Sequence, residues 1–162
     1  MNKLSPLLIV LFFAVCLNTG DVSAQGLPNK SFGVIYQEKI KWSPFPAFPP
    51  QARLAILVGN PNKAEPYVVR VMVPRGIKLM PHIHSEDRIY TVVSGVFHIG
   101  IGTKFEASKL KAYPPGSVIV LPGNTAYFHW ARSGEYITQV SAYGPLGISY
   151  IKPLDDPRNN KK

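Results

Sequence analysis

The sequence predicts an all-β fold, a sandwich or a barrel, and two observations carry that expectation. From Arg53 onward the chain is a series of short apolar segments rich in β-branched and aromatic residues: RLAILV, YVVRVMV, IKLM, RIYTVV, VFHIGI, LKAY, SVIVL, AYFHWA and YITQVSAY. Turn chemistry separates them, as GNPN, PRG, SG, GT, PPG, PGN and SG. Strands at such spacing, bounded by Gly, Pro and Asn, read as antiparallel β structure. The second observation is that no stretch of helical length carries apolar residues at a 3.6-residue period.

Taken in order, the chain opens with a leader. Lys3 supplies a positive start, Leu7 to Leu17 is an unbroken apolar run, and Val22-Ser23-Ala24 precedes Gln25. Residues 1–24 are therefore expected to be a secretory signal peptide that sends the protein to the periplasm or outside the cell. The run is too short to serve as a membrane span. The single cysteine, Cys16, lies in this leader, so the remaining chain has no disulfide, thiolate metal site or cysteine nucleophile.

Residues 25–52 form a proline-rich arm. WSPFPAFPP, Trp42 to Pro50, cannot be helical because proline fixes φ and removes donors. It should be extended, with Trp42, Phe45 and Phe48 packing across the barrel wall or against a partner subunit, and a short strand is expected near Val34–Ile40. Residues 53–152 are the barrel and 153–162 a tail. The 162 residues suit one domain. The formal charge is +9, but the basic residues are scattered and no nucleic-acid-binding motif is present. A solvated basic surface follows, with no nucleic-acid partner.

Two stretches hold three of the four histidines. Gly76 to Gly95 reads GIKLMPHIHSEDRIYTVVSG, and Gly116 to His129 reads GSVIVLPGNTAYFH. His82 and His84 are two residues apart, so on a strand both imidazoles face one way. Neutral imidazole suits Zn, Cu, Fe and Ni. Glu86 and Arg88 share that parity, although the turn chemistry of Ser85 to Asp87 interrupts the alternation. Tyr127 and His129 share a face in the second stretch. Tyr90 and Val92 follow Arg88 in parity and would line a cavity beside it. His98, flanked by Phe97 and Ile99, should face outward. Gly95, Gly116 and Gly123 read as turn glycines with positive φ.

These stretches resemble the paired motifs of the cupin superfamily. The first motif is G-x5-H-x-H-x3,4-E-x6-G, matched by Gly76, His82, His84 and Gly95. The second is G-x5-P-x-G-x2-H-x3-N, matched by Gly116 and Pro122, with the glycine displaced to Gly123. The resemblance covers about half the chain and implies a jelly-roll barrel, the cupin-type double-stranded β-helix. It also shows two departures. Arg88 stands where the family has a glutamate ligand, and Tyr127 where it has a histidine. Glu86 and His129, each two residues away, could replace them. The resemblance then implies a divalent-metal site (Fe, Mn, Ni, Cu or Zn) held by His82, His84, Glu86 and His129. Arg88 would orient an acidic small-molecule substrate and Tyr127 would offer a hydroxyl, in an enzyme of the dioxygenase, isomerase or decarboxylase kind. The alternative is a metal-free binding or structural module, with Arg88 holding an anionic ligand or pairing with Glu86 and Tyr127 filling the space of the lost ligand. A homodimer is expected through the sheet edges or the arm, since open edges need cover.

Overall fold

The structure, a computed structural model, describes residues 33–160. The leader at 1–24, Cys16, the start of the arm and the last two residues lie outside the described residues. Ten strands form two five-stranded antiparallel sheets: β1 (Arg53–Val58), β2 (Pro66–Val73), β3 (Lys78–Ile83), β4 (Arg88–Ser94), β5 (Phe97–Ile101), β6 (Lys111–Tyr113), β7 (Val118–Leu121), β8 (Tyr127–Trp130), β9 (Tyr136–Tyr143) and β10 (Ser149–Tyr150). One sheet has the order β1-β2-β9-β4-β7, the other β10-β3-β8-β5-β6. The inner faces of the two sheets meet around Tyr67, Val69, Val73, Leu79, Phe97 and Val140, all buried. This is the jelly-roll architecture expected from the segment pattern. No helix among the described residues is long and apolar enough to cross a membrane.

Nine of the strands fall on the nine expected segments. The tenth, β10, pairs Ser149 with Ile83 and Tyr150 with His82, and two residues are too short for any alternation to show. The expected strand at Val34–Ile40 is instead a single 3-10 turn at Gln37–Lys39. The arm joins the first sheet later, where the Ser43 and Leu54 backbones exchange hydrogen bonds of 2.9 Å in each direction. It then folds over the barrel. Ala47 and Phe48 are buried, and the Tyr150 hydroxyl donates to the Ala47 carbonyl at 2.8 Å.

A bulge in β3 sets the orientation of the histidines. Leu79 pairs with His129, and His82 pairs with Tyr127, so β3 has one residue more than β8 between these points. Pro81 lies in the gap and has no N–H to give to a ladder. The extra residue switches the inward parity from Leu79 to His82, and both are 1% exposed.

The turn after β3 is fastened to the turn before β8. Asp87 Oδ1 accepts from the Gly123 N–H at 2.7 Å, and the His84 carbonyl accepts from the Asn124 N–H at 2.6 Å. Positive φ, expected at Gly123, falls on Asn124 (59°). Gly123 serves a close approach instead, because a Cβ there would run into the Ser85 carbonyl. Gly95 and Gly116 do have positive φ, 67° and 86°. At Gly95 a Cβ would also strike the Glu135 carbonyl and lie 2.8 Å from the Tyr136 Cα. Gly95→Ala should therefore destabilise the barrel by about 1–3 kcal/mol or more, read as a lower urea midpoint. An unchanged midpoint would show that the turn relaxes freely.

Candidate functional site

The site lies between the sheets, at the end of β3 and the start of β4. Arg88 and Tyr90 point inward from β4, Tyr127 and His129 from β8, Thr138 from β9, and His82 from β3, with His84 just beyond it. All are buried. They leave about 10 Å³ of free space, which is room for about one water. Phe48 of the arm lines the cavity together with Val71 and Leu79.

The central contact is a hydrogen bond of 2.5 Å between Arg88 Nη1 and His84 Nε2. A guanidinium donates and never accepts, so His84 Nε2 is the acceptor and the ring proton sits on Nδ1. That Nδ1 faces Glu86 Oε1 at 3.5 Å, and Arg88 Nε faces the same oxygen at 3.7 Å. Neither nitrogen has a hydrogen-bond partner. Glu86 is held where it is by the Tyr67 hydroxyl, which donates to Oε1 at 3.0 Å, and by the Gly147 N–H on Oε2 at 3.4 Å.

The other two histidines are oriented through Nδ1. His82 Nδ1 donates to the Met80 carbonyl at 2.7 Å, which leaves Nε2 as an acceptor. His129 Nδ1 is hydrogen-bonded to the Tyr136 hydroxyl. The hydroxyls of Tyr90 and Tyr127 are 2.5 Å apart, and the Arg88 guanidinium carbon lies 5.4 Å from the centre of the Tyr90 ring.

Burial and charge act together on the titrations. Burial lowers the His84 pKa to about 4, and Arg88 adds to the effect. Burial likewise lowers His129 to about 3, helped by His84 and Arg88, and takes His82 well below the ordinary imidazole value. Burial raises the Tyr127 hydroxyl well above its ordinary value, with Tyr90 adding to it, so it stays a phenol. Burial would also raise the Glu86 carboxyl, but the nearby His84 ring, its own backbone N–H and Arg88 together outweigh it and hold it at about 2.

No family model and no curated protein matches this sequence. Solved structures do match. The polyketide cyclase RemF from Streptomyces resistomycificus superimposes with a TM-score of 0.63 at 15% identity, over 79% of this chain and 91% of that one. A cupin-2 domain protein from Rhodospirillum rubrum gives 0.57 at 13% identity, over 79% and 86%. KdgF from Halomonas sp. gives 0.54 at 20% identity, over 70% and 94%. The chain has the cupin fold.

Against the cupin pattern, His82, His84 and His129 reach one cavity, and so do Arg88 and Tyr127. Glu86 does not line it. Its carboxylate lies on the Nδ1 side of His84, behind the ring, because the Ser85–Asp87 turn breaks the alternation that would have turned it inward. Among the described residues no three His, Cys, Asp or Glu side chains are grouped so as to hold a metal ion. The donor set also fails on its chemistry. His84 Nε2 is already occupied by Arg88, and a second cation would sit beside a buried guanidinium. The four residues as arranged do not fit a divalent metal. His98 faces away from this cavity, beside Trp130 and Ala112.

Sequence reasoning missed Glu86's partner Tyr67, Thr138 and the Tyr136 hydroxyl. Their alternation marks them as inward, but nothing local marks them as neighbours of a histidine.

The buried neutral imidazoles make stability depend on pH. Above the ordinary histidine value of 6.5, both folded and unfolded states are uncharged there. As the pH falls, the unfolded chain takes up protons that the folded barrel refuses. Stability is then lost from pH 6.5 down to about 4 for His84 and about 3 for His129, by up to about 1.4 kcal/mol per pH unit per histidine. Glu86 acts in the same direction lower down. Its contribution is present above 4.5 and lost as the pH falls towards 2. Urea denaturation across this range should show the slope, and His129→Gln should flatten it. A stability independent of pH over that range would contradict buried neutral imidazoles.

Proposed function

We propose that this chain is an exported, metal-free cupin that binds a small acidic molecule in its barrel, with Arg88 as the anchor. The observation that supports this reading is the Arg88 guanidinium, 2% exposed, lying on His84 Nε2 inside the cavity. It puts a permanent positive charge in the barrel beside three neutral imidazoles. In such surroundings a guanidinium favours a carboxylate, which it can grip with two parallel hydrogen bonds. The carboxylate of Glu86 offsets part of that charge but lies beyond hydrogen-bond length from Arg88 Nε.

Tyr90 and Tyr127 would complete the grip. One proton joins the two hydroxyls, and the other remains free to donate. Of the two expectations for Tyr127, a filler of the space of the lost ligand or a hydroxyl donor, the second is the one proposed. Export rests on the leader-like residues 1–24. The expected homodimer would use the open edge of β7, where Val118 and Val120 are 61% and 69% exposed.

Fold alone does not choose a chemistry. The solved structures that superimpose carry different activities by name, RemF a polyketide cyclase and DddQ from Ruegeria pomeroyi a DMSP lyase at 15% identity.

Elemental mass spectrometry on untagged protein, after incubation with Fe, Mn, Ni, Cu and Zn in turn, tests the metal-free reading. Less than about a tenth of an equivalent of each is expected. About one equivalent of any of them, lost in His82→Ala/His84→Ala, would overturn it in favour of the rebuilt metal site.

A further inference from the structure

The anchor has a positive charge but no room beside it. About 10 Å³ holds roughly one water, not a carboxylate with a carbon skeleton. Something must leave before a ligand enters. The strands cannot supply that space without breaking ladders, because Arg88 and Tyr90 are each paired on both sides, to β7 and to β9. Phe48 can. It is the lining side chain that comes from the arm, whereas the others lie on or next to β2, β3, β4, β8 and β9.

The arm is held there by apolar packing and few hydrogen bonds. Phe48's own N–H turns back to the Phe45 carbonyl at 2.9 Å, and its ring meets the Phe45 ring edge-on at 4.8 Å between centroids. The Phe45-to-Phe48 segment is joined to the barrel by one hydrogen bond among those of the described residues, from Tyr150 to Ala47. Pro46, Pro49 and Pro50 keep this segment out of any sheet.

Phe48 also defines a chemistry. It is an aromatic ring, 5% exposed, that shares with Val71 and Leu79 the lining of the cavity that contains Arg88 and His84. One wall of the cavity is cationic and hydrogen-bonding, and another is apolar and already shaped around a phenyl group.

We infer that Phe48 is a resident plug in an aryl subsite, and that the ligand is a monocarboxylate bearing an aryl-sized apolar group that displaces it. The inference rests on the Arg88 anchor proposed above. The carboxylate lies on Arg88, with a Tyr90 or Tyr127 hydroxyl donating to it. The ring takes the place of Phe48 against Val71 and Leu79. The apparent affinity of the intact protein is lowered by the fraction of time the plug is closed, so a plug closed nine times in ten costs about tenfold.

Isothermal titration calorimetry with phenylacetate tests this on the full chain and on Phe48→Ala, with Phe48→Leu as a milder variant and thermal melts to show that each is folded. Phenylacetate should bind Phe48→Ala about tenfold or more tighter than the parent, with Phe48→Leu between them. Benzyl alcohol, the same ring without the charge, should bind Phe48→Ala at least about tenfold more weakly than phenylacetate does. Equal phenylacetate affinity in the parent and both Phe48 variants, abolished by Arg88→Gln, would overturn the plug and leave the anchor standing. A gain in Phe48→Ala that survives in Phe48→Ala/Arg88→Gln would overturn the anchor, and with it the carboxylate. No binding to any folded variant would overturn the inference as a whole.

Discussion

The interior of this barrel depends on one contact, the guanidinium of Arg88 on the imidazole of His84. A guanidinium stays charged and can only donate, so the contact dictates the proton on His84. The proton goes to Nδ1, towards Glu86, and Nε2 accepts. Because the site is buried, none of the imidazoles takes up a charge of its own. Removing one member of such a buried set leaves an unsatisfied group and costs about 1–3 kcal/mol, and more where the group left behind is the guanidinium. Its partners are accordingly placed with care: Glu86 behind His84 rather than in the cavity, and the tyrosine hydroxyls around the guanidinium.

The backbone maintains this geometry through two devices. The bulge at Pro81 turns His82 inward and brings it opposite Tyr127. The turn between β3 and β4 is tied to the turn before β8 through Asp87 and the His84 carbonyl, so the two motif-bearing stretches are fastened to each other. The arm, joined to the body at Ser43 and Ala47, adds Phe48 to the cavity wall from outside the two sheets. On the proposed reading, the charged end of the cavity is preorganised and the apolar end gives way, as suits a small-ligand site.

Much of the fold was legible because β-branched segments and Gly/Pro/Asn turns state it directly. Nine strands could be read from their composition, while the two-residue β10 could not. Parity worked wherever a strand continued: Arg88, Tyr90 and Val92 all point inward, as do Tyr127 and His129. It failed at Glu86, where three turn residues reset the direction of the chain. The metal set drawn from the cupin resemblance depended on that residue. Arg88 was visible as a departure, but its hydrogen bond to His84 is a pairing across a turn that no spacing rule contains. The role of Phe48 was also hidden, because proline-rich segments carry no period and so do not say which of their aromatics will be buried.

The most direct test of the account is the tautomer of His84, observed by long-range proton–nitrogen correlation NMR on uniformly labelled protein. The ring should be neutral, with its proton on Nδ1 and Nε2 unprotonated, unchanged from about pH 8 down to about pH 5 because it does not charge until about 4. A proton on Nε2 would contradict it, since no donor from Arg88 can then lie against that atom.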